Sequence, residues 1–151
     1  MRFETNSQQE TERIGFAMAE NATAGDFFAL LGDLGTGKTA FARGFAQGLG
    51  ITEAVSSPTF SIINQYDSGR LPLYHFDVYR MQNAQSMEDT GFEDYFYNED
   101  GIVLIEWANL IEEILPPHAK ILHFQRDLEK GENFRSIIIT TGGEKNKYSC
   151  N

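Results

Sequence analysis

Gly32, four intervening residues and then Gly37-Lys38-Thr39 have the spacing G-x-x-x-x-G-K-[ST] of a phosphate-binding loop. Gly35 and Gly37 let successive backbone N–H groups curl around an anion without Cβ clashes. The helix expected from Lys38 onward points its positive dipole end at the same anion. Lys38 has the reach for β- and γ-phosphates, and the Thr39 hydroxyl is a hard oxygen ligand for Mg²⁺. The plain alternative, a glycine-rich turn carrying a surface lysine, leaves the flanking pattern unexplained: an apolar run precedes the loop and an amphipathic segment comes after it. The chemistry expected is binding of a nucleoside triphosphate.

Such a loop needs a carboxylate to complete the magnesium shell, usually at the end of a neighbouring buried strand. Two segments offer one, "LYHFD" ending in Asp77 and "IVLIE" ending in Glu106. Four apolar residues precede Glu106, and a carboxylate there is expensive to bury without a cation. Glu106 is therefore expected as the magnesium ligand, directly or through water, on a strand beside the loop strand. Asp77 is left to orient or activate a water, or to cap its strand end through backbone N–H groups. In "SSPTF", Thr59 stands between Pro58 and Phe60, where its hydroxyl could face the γ-phosphate; an ordinary loop-to-strand turn fits those residues as well. His75, His118 and His123 lack metal spacing and read as packing or hydrogen-bonding residues. Trp107 could be core or could line the site. An N-K-x-D signature for guanine is missing, since "NKYS" at 146–149 lacks the aspartate, and this favours ATP.

The elements that must hold these residues begin with "SQQE". It opens a helix over 7–22 with a capping box in which Ser7 accepts from the backbone and Glu10 reaches back; Ile14, Ala17 and Met18 share a face. "FFALLG" (27–32) is a strand buried on both sides, and a helix comes next over 38–48. "FSIINQY" (60–66) and "LPLYHFDVY" (71–79) flank "DSGR" as a β-hairpin. A helical stretch covers 83–97. "GIVLIEWAN" (101–109) is a second buried strand running into a helix ended by "LPP" at 115–117. Strands over 119–126 and 134–141 enclose a polar loop. Buried strands alternating with helices indicate one α/β domain over 1–142, with a mostly parallel mixed sheet, antiparallel hairpins and flanking helices. A mobile tail is expected over 143–151.

Bulk properties narrow the class. The 151 residues are 41% hydrophobic with twelve Phe and six Tyr, enough for a core without disulfide or structural metal. The formal charge of −10 argues against direct, tight nucleic-acid binding. No apolar run reaches the length of a membrane span, and the first ten residues carry no apolar signal core. With a single cysteine, Cys150, the expected compartment is the cytoplasm.

"GDLGTGKTAFARGFAQGLG", "SPTF", "LYHFDVYR", "GFEDYF" and "IEW", in that order, closely resemble the bacterial TsaE (YjeE) family, small ATPases of tRNA threonylcarbamoyladenosine biosynthesis. The resemblance spans Gly32 to Trp107, about half the chain. It implies a P-loop NTPase-like α/β fold, ATP and Mg²⁺ as ligands, and an accessory, intrinsically slow ATP hydrolase. It implies TsaD and TsaB as partners, TsaD performing the threonylcarbamoyl transfer. Carried over, the nucleotide loop is Gly35, Thr36, Gly37, Lys38, Thr39 and Ala40, and the magnesium ligands are Thr39 and Glu106. Thr59 matches the family's loop threonine, Asp77 its "HFD" aspartate and Arg135 an arginine near the nucleotide. Phe60 departs from the more common tyrosine.

A small-molecule kinase also pairs such a loop with carboxylates. A kinase lid needs cationic side chains to clamp the transferred phosphate. The segment "NAQSMEDTGFEDYFYNED" (83–100) has no Lys or Arg, which suits a docking surface better.

Overall fold

The computed structural model describes residues 1–33, 35–56, 63–79 and 91–141. The expectations placed on Thr59, on the first part of the 83–97 helix and on the tail lie outside them. In chain order the elements are β1 (Arg2–Thr5), α1 (Gln8–Glu20), β2 (Phe27–Leu31), α2 (Lys38–Gly48), β3 (Ile63–Tyr66), β4 (Leu73–Asp77), α3 (Phe92–Phe96), β5 (Ile102–Glu106), β6 (Lys120–Arg126) and β7 (Arg135–Thr141). Short 3₁₀ segments at Ala108–Ile114 and Leu128–Lys130 come after β5 and β6.

Among the described residues the strands form one sheet in the order β1-β7-β6-β2-β5-β4-β3. The central four, β6-β2-β5-β4, are parallel, as their continuous apolar runs require. β3 on β4, and β7 and β1 beyond β6, are antiparallel additions. The expected mixed sheet is therefore present, with parallel pairing confined to its centre. The hairpin around "DSGR" forms as expected, with its second strand confined to Leu73–Asp77; residues 60–62 of the expected first strand lie outside the described residues.

Side-chain alternation along β2 divides the core. Phe28 and Leu30 meet Phe41, Phe45 and Leu49 of the α2 segment on one face. Phe27, Ala29 and Leu31 meet Phe96, Phe76 and Ile105 on the other. Edge-to-face pairs, such as Phe27–Phe96 at 4.8 Å and Phe28–Phe45 at 4.9 Å, fill both layers.

α1 begins where "SQQE" puts it: the Glu10 N–H donates to Ser7 Oγ at 3.1 Å. The Glu10 carboxylate returns to the Ser7 hydroxyl at 3.2 Å. Its apolar face reaches the core only at the edge, through Ile14 and Met18. Thr11, Gly15 and Ala19 are buried, Ile14 and Met18 are only half-buried, and Ala17 is exposed. The reason is closeness to α2, since a Cβ on Gly44 would fall on the Glu12 carbonyl, and one on Gly15 on the Phe41 carbonyl. Small size, not hydrophobicity, selects the contact. Arg70 locks the far end of α1 by donating to the Ala19 and Ala22 carbonyls at 2.7 and 3.0 Å.

β1 was not expected from the sequence. It is a four-residue edge strand, and Thr5 at its end is buried, with its hydroxyl 2.8 Å from that of Thr11. Among the described residues no helix is long and apolar enough to cross a membrane.

Candidate active site

β2, β5 and β4 end side by side, and the segments leaving these three strand ends build one cleft. After β2 the chain turns through Gly35 and Gly37, whose φ values of 79° and 101° favour glycine. Thr36 pins the turn by donating to the Asp33 carbonyl at 2.7 Å. Gly37 is the N-cap of α2 and offers no capping side chain, so the helix meets the cleft with its first-turn N–H groups and positive dipole end.

Lys38 lies 5% exposed beneath this loop. Its ammonium donates to the Gly32 carbonyl, and to that of Asp33 at 3.1 Å. It also sits 3.9 Å from the Trp107 ring centroid, a cation–π contact. Burial lowers the pKa of this amine, while Glu106, Asp33 and Asp77 act to raise it. The result is a buried cation surrounded by neutral acceptors and nearby carboxylates, facing a cleft.

Thr39, the next residue, donates to Glu106 Oε1 at 3.3 Å. The other carboxylate oxygen is 2.7 Å from His75 Nε2. Asp77 stands directly opposite Glu106 in the β4–β5 register, and its Oδ1 accepts the Tyr79 N–H at 2.9 Å. Asp77 thus caps its strand end and also lines the cleft. Trp107 takes a left-handed backbone with φ 64°, rare for a bulky residue and of a kind that clusters at functional sites. That turn carries its ring over Lys38 and against Tyr79, with ring centroids 4.7 Å apart. Trp107 lines the site.

The cleft has a volume of about 610 Å³. One end holds Lys38, Thr39, Asp77, Glu106 and Trp107. The other is built from the start of α1 (Ser7, Gln8, Thr11), with Asn133 and Arg135 from the β6–β7 connection and β7. Arg135 donates to the Glu132 and Phe134 carbonyls at 2.8 and 2.7 Å. Burial, and then its neighbour Arg126, lower the pKa of its guanidinium. The structure therefore brings together Gly35, Thr36, Gly37, Lys38, Thr39, Ala40, Asp77, Glu106 and Arg135. His118 lies elsewhere, against Phe27 and Tyr97, and His123 is a buried residue of β6 outside this cleft.

His75 is the hydrogen-bonding residue it reads as, but its place beside Glu106 and the α1 contribution were not evident from the sequence. A histidine two residues before Asp77 on a strand must share its face, and that signal was available. Among the described residues no three His, Cys, Asp or Glu side chains cluster as a metal cage. The donor set that does converge beside the glycine turn, the Thr39 hydroxyl and the Glu106 carboxylate, would fit a hard cation such as Mg²⁺, which takes oxygen ligands.

The comparisons with known proteins agree with this architecture. A family model described as "Threonylcarbamoyl adenosine biosynthesis protein TsaE" matches residues 5–136. The chain is 45% identical over 150 residues to a tRNA threonylcarbamoyladenosine biosynthesis protein TsaE of Bacillus subtilis, covering 99% of this chain and 91% of that protein. A protein of the same description from Treponema pallidum is 39% identical over 118 residues, 78% of this chain and 86% of its own. The crystal structure of YdiB from Bacillus subtilis superposes with a TM-score of 0.79 at 42% identity, covering 98% of this chain and 88% of that one.

Proposed function

From the premise that this chain belongs to the TsaE family of tRNA threonylcarbamoyladenosine biosynthesis, we propose that it is the ATP-hydrolysing accessory component of that tRNA modification. In this reading it works through TsaD and TsaB and does not itself transfer the threonylcarbamoyl group. The observation that carries the reading is the convergence of Lys38, Thr39 and Glu106 on the uncapped start of α2. Backbone N–H groups of Gly35 to Ala40 cradle the phosphates, and Lys38 exchanges its loop carbonyls for phosphate oxygens. Thr39 and Glu106 hold Mg²⁺, directly or through water; the bound ion supplies neutralisation of charge on the β- and γ-phosphates. Asp77 orients the attacking water, its Oδ1 fixed by the Tyr79 N–H. Ser7, Gln8, Asn133 and Arg135 receive the nucleoside end. The net charge of −10 suits a protein that acts on tRNA through a partner, since direct contact would bring phosphate repulsion.

The test is reconstitution with TsaD, TsaB, tRNA and threonylcarbamoyl-adenylate. Adding this protein and ATP should raise the number of modification turnovers, and the isolated chain should hydrolyse ATP feebly. Robust transfer of phosphate to a metabolite by the chain alone would replace this reading with a kinase.

A further inference from the structure

We propose that His75 is a positioning residue that fixes the Glu106 carboxylate for cation binding, an inference that rests on the reading just given. β4 and β5 are parallel, with Asp77 opposite Glu106 and His75 opposite Leu104. His75, Asp77 and Glu106 lie on one face of the sheet, so the imidazole reaches diagonally to the carboxylate. Nε2 donates to Glu106 Oε2 at 2.7 Å, while Thr39 holds Oε1 at 3.3 Å. The carboxylate is gripped from both ends.

The grip is asymmetric in a useful way. Thr39 is exposed to the cleft, and its hydroxyl can turn to a cation. His75 is 1% exposed and cannot leave. When Thr39 lets go, Nε2 keeps Oε2 in place and Oε1 stays aimed at the metal position. The ring's other nitrogen supports the same role. Nδ1 is buried and has no hydrogen-bond partner among the described residues. An idle buried polar atom is costly, so packing alone gives no reason for an imidazole over an apolar ring here. Among the described residues its polar contact is with Glu106. Partners that orient a metal ligand from behind typically change metal affinity about 10-fold to 100-fold when removed.

Two amides of different reach separate this role from packing. The Gln side-chain nitrogen lies where histidine Nε2 lies, whereas the Asn nitrogen lies where Nδ1 does, out of reach of Oε2. The full-length wild type, His75→Gln and His75→Asn are assayed for ATP turnover against Mg²⁺ concentration, and for ATP binding in EDTA. The expected result is a rise of about 10-fold or more in the half-saturating Mg²⁺ for His75→Asn, little change for His75→Gln, and unchanged metal-free nucleotide binding in both. Equal Mg²⁺ curves for both variants, or a loss of metal-free binding that tracks lost stability, overturn the positioning role. A wild type that binds no ATP with or without Mg²⁺ overturns the underlying reading and the inference with it.

Discussion

Replacing Lys38 by methionine removes the buried cation while keeping the aliphatic stem. Hydrogen bonds from a charged donor are worth about 1.5–3 kcal/mol each, and losing one near the upper end raises Kd about 100-fold. At ATP–Mg²⁺ 100 times the wild-type Kd, ligand linkage stabilises the native protein by about 2.7 kcal/mol. In a domain of this size each kcal/mol moves Tm by about 2–4 °C, so the wild type should gain about 5–11 °C. The variant, at the same concentration, sits near its own Kd and gains about 0.4 kcal/mol, or about 1 °C. Without nucleotide, two effects oppose each other: the Gly32 and Asp33 carbonyls lose a donor, and a desolvated charge is removed. The free variant should still melt cooperatively. A pH arm adds a sign. Burial lowers the amine's pKa from 10.5, so the cost of the buried charge is present below the lowered value and relieved as pH rises through it. The free wild type should gain stability in that alkaline window while ATP affinity falls. The assay is a thermal melt with and without ATP–Mg²⁺. A full ligand-induced rise in Lys38→Met would refute the placement of phosphate at this amine.

Glu106→Gln should raise the Mg²⁺ needed for half-maximal turnover, whereas Asp77→Asn, which keeps an oxygen for the Tyr79 N–H, should leave ATP binding intact and depress kcat. Steady-state kinetics across a Mg²⁺ series would expose a reversed assignment. Gly44→Ala drives a methyl into the Glu12 carbonyl and should cost about 1–3 kcal/mol or more by urea denaturation. Because α1 carries Ser7, Gln8 and Thr11 into the cleft, the same change should weaken ATP binding; wild-type affinity would mean α1 contributes nothing to the ligand. Burial lowers the His123 imidazole below 6.5, so the unfolded chain takes up the proton first and stability is lost as pH falls from 6.5 through the lowered native value. His123→Asn should flatten that acid limb in a Tm–pH series, and an unchanged slope would assign the acid sensitivity elsewhere.

What the sequence revealed depended on how local each signal is. The start of α2 at Lys38, the five-residue buried run of β2 and the carboxylate closing β5 are contiguous patterns, and each lies where its pattern placed it. β1 escaped because its four residues alternate weakly and its partner β7 is at the other end of the chain. Along α1 hydrophobic periodicity points to Ile14, Ala17 and Met18, of which Ile14 and Met18 pack against the edge of the core and Ala17 is exposed. Backbone approach of α2 instead rewards the smallest residues at 15 and 44. His75 shares a face with Asp77 by simple alternation, yet its bond to Glu106 depends on the β4–β5 register, which no local pattern encodes. Trp107 stayed undecided because its left-handed backbone, which swings the ring over Lys38, cannot be read from residue type.

The central claim is that this cleft is built for a magnesium-bound nucleoside triphosphate. A calorimetric titration of the wild-type chain with ATP in the presence of Mg²⁺ tests it most directly. Saturable binding at one site per chain, competed by ADP and weakened by Lys38→Met, is the expected result. A folded wild-type chain that shows no heat of binding at any temperature tried, and no protection from thermal unfolding by millimolar-range ATP–Mg²⁺, would contradict it.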